Sequence, residues 1–231
     1  MLILAIDTAL DACSVAVLDT EAAELLAQEQ LLMKRGHAEA LMPMIARVMQ
    51  SAGLAFTTLD RIAVTVGPGS FTGLRVGISA ARGLALAAER PAIGLTTLSA
   101  YAAAIVGQSK SAPVISAIDA RHDHVYFQIV AGDGSQLVRP SVASVDAAIA
   151  ASQFGAPHLV GNAANILAER WPKDVPQPVA VDAQPAPDIG WIAWLGAAAE
   201  PATNPARPFY LKAPDAKPAA QPPFAAQAAT P

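Results

Sequence analysis

The residues best placed to do chemistry form two Asp-bearing turns and one glycine loop. Ile6-Asp7 and Ile118-Asp119 each end a short apolar run, and Asp11 and Asp123 follow them at the same spacing. Carboxylates repeated in this way read as a candidate catalytic core. Gly67-Pro68-Gly69-Ser70-Phe71-Thr72-Gly73 sits where a strand hands over to a helix. Free amides at a helix N-terminus attract anions, and glycines let a ligand approach the backbone. Three known patterns nevertheless fail on this loop. The Walker ending Gly-Lys-Ser/Thr is missing. The third glycine arrives one residue late for a dinucleotide fingerprint. Pro68 stands where a nucleophile elbow needs glycine. The competing reading is a tight turn with Thr72 as the helix cap. His37 lies four residues before Leu41, where a second histidine would complete a metal pair on one helical face, so it reads as a capping or surface residue. Cys13 is the only cysteine, which rules out an intrachain disulfide and a thiolate zinc cage.

The elements that carry these residues recur. Leu2–Ile6 and Cys13–Leu18 are apolar runs joined by a polar turn, the pattern of a hairpin. A shift of 112 positions lays Ala117-Ile118-Asp119 on Ala5-Ile6-Asp7, Asp123 on Asp11, Leu137 on Leu25 and the strand Val125–Val130 on Cys13–Leu18. No gap is needed, and the shared strand, turn and strand favour a duplication. The first unit continues with a strand near Glu24–Leu31, a helix near His37–Gln50, a strand Ile62–Val66 and a helix Thr72–Glu89. The second continues with helical composition at Ser144–Ser152, a strand His158–Val160 and a helix Ala163–Trp171. Strands alternating with helices imply sheets covered by helices. Beyond Trp171 the texture changes, since 13 of the 19 prolines fall in 172–231. Proline lacks a backbone donor and disfavours helix before it. Residues 172–200 read as irregular with one short helix near Trp191–Ala199, and 213–231 as a disordered Pro/Ala-rich tail.

Composition narrows the class. Hydrophobic residues make up 53% and charged residues 15% of 231, enough to fold most of the chain around a core. A net charge of −4 argues against a strongly basic nucleic-acid face. Met1–Ile6 is too short and lacks the positive leader of a secretory signal, and Arg75 and Arg82 interrupt the longest apolar segment. The expectation is a reduced, cytoplasmic protein with no membrane span.

Five strings together resemble the TsaB (YeaZ) family: Leu4-Ala5-Ile6-Asp7-Thr8, His37-Ala38-Glu39, Gly67 through Arg75, Ile118-Asp119-Ala120-Arg121 with Val125-Tyr126, and Phe209-Tyr210-Leu211-Lys212. The resemblance runs from residue 1 to about 212. It implies an α/β actin-like ATPase (ASKHA, sugar kinase/Hsp70-like) fold with two duplicated lobes, each a mixed sheet flanked by helices. The lobes would span 1–108 and 109–212, with the tail at 213–231. It further implies a non-catalytic subunit that dimerises with the catalytic paralogue TsaD, is joined by TsaE, and supports N6-threonylcarbamoyladenosine formation in tRNA. By the same resemblance His37 keeps one metal ligand of TsaD and Leu41 replaces the other. No cofactor is expected on this chain alone; ATP or ADP is expected, if anywhere, at the joint interface. Lys212 stands where the family commonly has arginine.

The family's partner-binding bundle would fall here on the first two helices. Its expected contact residues are Leu41, Met44, Ile45 and Val48 on one, and Gly73, Gly77 and Ala81 on the other. Gly67, Gly69, Ser70, Thr72 and Arg75 form an interface or nucleotide-proximal loop. Gly73, Gly77, Ala81 and Ala85 recur every four residues, and Ser79, Gly83 and Ala87 make a second small row. Interior glycine costs a helix about 1 kcal/mol, which another closely packed backbone offsets. Alone, such a chain forms a homodimer, and it meets tRNA through the complex. The alternative is a nucleotide-hydrolysing enzyme or a degenerate metalloprotease-like relative. Phosphate transfer on this fold needs glycine after both aspartates, whereas the turns read Asp7-Thr8-Ala9 and Asp119-Ala120-Arg121.

Overall fold

A computed structural model describes residues 1–107 and 112–212. The expected tail at 213–231 therefore lies outside the described residues, as do residues 108–111 around the expected lobe boundary. Two five-stranded sheets carry the architecture. In the first, β1 (Leu2–Asp7) pairs antiparallel with β2 (Ala12–Asp19), which pairs with β3 (Glu24–Leu32). On its other side β1 runs parallel to β4 (Arg61–Gly67), and β4 to β5 (Ala92–Thr96). The second sheet is built from β6 (Val114–Arg121), β7 (His124–Val130), β8 (Gln136–Ser144), β9 (His158–Val160) and β10 (Ala180–Asp182). The orders are β3-β2-β1-β4-β5 and β10-β9-β6-β7-β8, the same sequence of strand roles in both. The 112-residue shift is kept to the residue at the outer strands, since β3 begins at Glu24 and β8 at Gln136.

Alternation along β1 explains why it is apolar at almost every position. Leu4 and Ile6 join a core cluster with Leu41, Met44, Ile45 and Val48 of α1 (His37–Ser51) and Leu74, Ile78 and Ala81 of α2 (Phe71–Ala88). Ile3 and Ala5, one step out of phase, join Ile189, Ile192 and Ala193 of α6 (Ile189–Ala198). A strand covered on both faces needs no polar positions, and each fully buried Leu or Ile contributes about 1.5–3 kcal/mol. The helix expected near Trp191–Ala199 therefore starts two residues earlier, because the Asp188 carboxylate accepts from the Gly190 amide at 2.7 Å and caps it. At its other end Arg61 donates to the carbonyls of Gly196, Ala197 and Ala199 at 2.7–3.2 Å.

The second half is cut shorter. α4 (Val145–Ala150) and α5 (Ala164–Glu169) take the places of α1 and α2 and pack Ile149 and Leu167 against Ile115, Val125 and Phe127. The segment 172–200, read as irregular, also holds β10, an edge strand too short and too exposed to carry a hydrophobic signal. β5 and β8 had no sequence-based expectation. Between the sheets lies α3 (Thr97–Ala103), whose Leu98, Tyr101 and Ala102 pack with Val114, Ile118 and Val130. Among the described residues, no helix is long and apolar enough to cross a membrane.

Candidate functional site

The first Asp turn is sealed. Asp7 is fully buried, and its Oδ1 accepts from the Ala9 amide at 3.0 Å and from the Thr65 hydroxyl. Oδ2 has no partner among the described residues. Burial pushes the Asp7 carboxyl above the ordinary carboxylate range, against the opposing pull of those two hydrogen bonds. The glycine loop is the lid over this turn. Thr8 donates its hydroxyl to the Gly73 carbonyl at 2.7 Å, and the Ser70 amide donates to Ala9 O at 2.7 Å. A Cβ at Gly69 would overlap the Ala9 carbonyl, one at Gly73 the Thr8 carbonyl, and one at Gly77 the Thr8 hydroxyl. The glycines are thus needed for contact with the chain's own turn.

Two expectations change at this point. Ser70, not Thr72, caps α2: the Gly73 amide donates to Ser70 Oγ at 3.3 Å, while Thr72 is exposed and lines a cleft. His37 is neither a cap nor a surface residue. It is 9% exposed, and its Nε2 bonds the Leu10 carbonyl at 3.1 Å, which fixes that nitrogen as the donor and ties α1 to the first turn. The signal for both lay in the turn's backbone, which no side-chain pattern reports.

The second turn is open. Asp119 is exposed, its amide donates to Asn162 Oδ1 at 2.9 Å, and its own Oδ1 accepts from the Arg121 amide at 2.7 Å. Arg121, His122 and Asp123 all hold left-handed backbones, with φ of 62°, 52° and 62°. Three consecutive non-glycine residues in that region are costly, by about 1–2 kcal/mol each. Arg170 braces the turn by pairing with Asp123 and, at 2.6 Å, with Asp146. Between the turns opens a cleft of about 620 Å³, with Leu10, Asp11 and Ser70 on one side and Asp119, Arg121 and Tyr126 on the other.

The C-terminal strap completes its rim. Gly94 donates to Asn204 O at 2.9 Å and Phe209 donates to Val66 O at 2.7 Å, so residues 204–210 run back across the first lobe. Gly67, at φ 114°, leaves room for the Phe209 carbonyl. Tyr210 then stacks on Phe71, with ring centroids 5.4 Å apart and planes 28° apart. Arg75 lies over the Phe71 ring at 3.8 Å and reaches the Tyr210 hydroxyl at 3.4 Å. Phe71, Tyr210 and Lys212 line the cleft. The glycine loop thus brings Gly69, Ser70, Thr72 and Arg75 to this rim, and Gly67 lies behind it under the strap.

The residues expected on a partner face sit elsewhere. Leu41, Met44, Ile45 and Val48 are at most 2% exposed, and Gly73, Gly77 and Ala81 press on the first turn and β4. Helical periodicity identifies a face that must be buried but not what buries it, and the chain's own sheet claims this one. The outer surface of the same helices consists of other residues: Met42, Pro43 and Ala46 on α1, and Ser79, Arg82, Gly83 and Leu86 on α2. Leu86 is 82% exposed, and a Cβ on Gly83 would meet nothing within 4 Å.

The comparisons agree with this architecture. The family model described as TsaD, tRNA N6-adenosine threonylcarbamoyltransferase, matches residues 25–183. The tRNA threonylcarbamoyladenosine biosynthesis protein TsaB of Escherichia coli (strain K12) is 41% identical over 127 residues, 55% of this chain and 54% of that protein. TsaB of Haemophilus influenzae is 39% identical over 142 residues, 62% and 56% of the two chains. The chain spans about half the length of these curated relatives. The solved structure of YeaZ from Pseudomonas aeruginosa has a TM-score of 0.71 and 31% identity, covering 91% of this chain and 99% of that one. The chain belongs to the TsaB (YeaZ) family. The α/β fold expected of a TsaB-family member, two mixed sheets flanked by helices, is the one described above. In this TsaB-family chain the Gly67–Arg75 string serves as turn lid and as cleft rim together.

Proposed function

We propose that this chain is the non-catalytic subunit of a tRNA N6-adenosine(37) threonylcarbamoyltransferase complex. It would dimerise with the catalytic paralogue TsaD, accept TsaE into the assembly, and support t6A37 formation in tRNAs reading ANN codons. The observation that carries this reading is the sealed Asp7 turn. A phosphate-handling carboxylate must face its ligand, whereas Asp7 lies under Gly69–Gly73 with its charge disfavoured by burial. His37 is committed to the Leu10 carbonyl, and among the described residues no group of three His, Cys, Asp or Glu could hold a metal. The names of the relatives supply the pathway, and α1 and α2 supply exposed helix for a partner. The same surface would close a homodimer when the chain is alone. ATP or ADP, if used, belongs at the joint interface, and the setting is cytoplasmic.

The test is reconstitution. The chain alone should neither hydrolyse ATP appreciably nor modify tRNA, and adding TsaD, TsaE and threonylcarbamoyl-adenylate should give modification that depends on it. Hydrolysis or modification by the chain alone would instead establish the enzyme reading, which Asp119, exposed in the cleft, would then have to serve.

A further inference from the structure

We propose that the cleft between the two Asp turns holds one unpaired nucleotide of an RNA strand, with its base on Tyr210 and its phosphate beside Arg121 and the first turn of α2. The inference rests on the tRNA reading above and assigns the chain its own RNA contact. Five observations converge. Tyr210 is 44% exposed, is backed by Phe71, and faces a cleft of about 620 Å³. Arg75 already stacks on Phe71 and reaches the Tyr210 hydroxyl, so the platform is held rigid before any ligand arrives. Arg121 is exposed on the opposite wall and forms no ion pair among the described residues. Its backbone is held in a left-handed turn braced by Arg170, which fixes where the guanidinium leaves the chain. Lys212 adds a second cation to the lining.

An aromatic platform beside a cationic wall is the chemistry of single-stranded nucleic-acid sites, where bases stack and the backbone tracks positive charge. The first-turn amides of α2, an 18-residue helix, add a favourable field for phosphate on the near wall. Asp11 and Asp119 also line the cleft, one on each wall, so phosphate is favoured only where Arg121 and the α2 amides offset their charge. An acidic peptide would meet the same two cations but would have no use for the stacked rings.

The test is binding of a fluorescein-labelled single-stranded RNA heptamer and of an unmodified tRNA transcript, followed by anisotropy, with the full chain and with its complex with TsaD. Tyr210→Ala is expected to weaken RNA binding about tenfold and Tyr210→Phe to restore it, as stacking predicts. Arg121→Ala should weaken binding and flatten its salt dependence by about one phosphate contact. Arg139→Ala, on the exposed β8 edge, should change neither. Photocrosslinking of 5-iodouridine RNA should mark the 204–212 peptide. Circular dichroism melts check that each variant is folded, and the exposed Tyr210→Phe provides a folded reference. Equal RNA affinity for wild type and Tyr210→Ala would overturn the proposal, as would binding of free ATP without RNA, or equal competition by a poly-glutamate peptide. If the reconstituted complex modifies tRNA while these variants leave RNA binding unchanged, the site fails and the subunit reading stands.

Discussion

The Thr8 hydroxyl donates to the Gly73 carbonyl at 2.7 Å, across 65 residues of chain, and so clamps the first turn of α2 onto the turn that follows β1. The same close approach leaves no room for a side chain at 73 or 77, both of which face Thr8.

The clamp makes glycine at 73 a folding requirement. Gly73→Ala should destabilise by about 1–3 kcal/mol through overpacking against Thr8. Gly83→Ala, on the same helix but facing open space, should stabilise by up to about 1 kcal/mol. Urea melts of the two variants should move in opposite directions, and parallel shifts would refute the packing account. Gly77→Leu belongs with Gly73, so its failure to bind a partner would report on folding.

Asp7 predicts a particular pH signature. Its folded-state pKa is raised by burial above the ordinary 3.8, so the stability it contributes is fully present below that value. That contribution is lost as pH rises through the raised folded value. Asp7→Asn keeps an oxygen for Thr65 and Ala9 but cannot ionise. The melting temperature of the variant relative to wild type should therefore climb from pH 4 toward pH 8. A difference that stays flat over that window would mean Asp7 is charged in the fold.

The partner surface should be read from what α1 and α2 leave exposed. Leu86→Glu and Met42→Glu should leave stability within about 0.5 kcal/mol, as surface changes do. Association, whether with TsaD or with a second copy, should weaken at least about tenfold when followed by sedimentation velocity. Unchanged association with both variants would place the interface off these helices.

Cys13 is buried, and its thiol is pushed up to about 11, first by desolvation and then by the nearby Asp7 and Glu29. At pH 8 the native chain should react with Ellman's reagent far more slowly than the same chain in guanidinium chloride. Fast native reaction would show that β2 opens readily.

The scaffold was more legible than the site. Strands with two covered faces announce themselves, as Leu2–Ile6 and Ile62–Val66 do, and the 112-residue shift located the second lobe. β8 escaped because Gln136–Ser144 is a half-exposed edge containing Pro140, where neither alternation nor an apolar run survives. The interface reading failed to separate two kinds of burial, since Leu41 and Gly77 look the same whether they face a partner or the chain's own first lobe. The cleft was least visible of all. It depends on Tyr210 meeting Phe71 and on its contact with Arg75, 135 residues earlier in sequence, and on three left-handed residues at 121–123 that no composition signals.

The position of α6 has a consequence for how the chain is made. Ile3, Ala5 and Ala63 are covered by Ile189, Ile192 and Gly196, so one face of the first sheet stays wet until nearly two hundred residues have been synthesised. A repeat that looks modular therefore matures as a single late event. On the ribosome the emerging first half must wait, with a half-finished core, for a helix encoded at the far end of its own message.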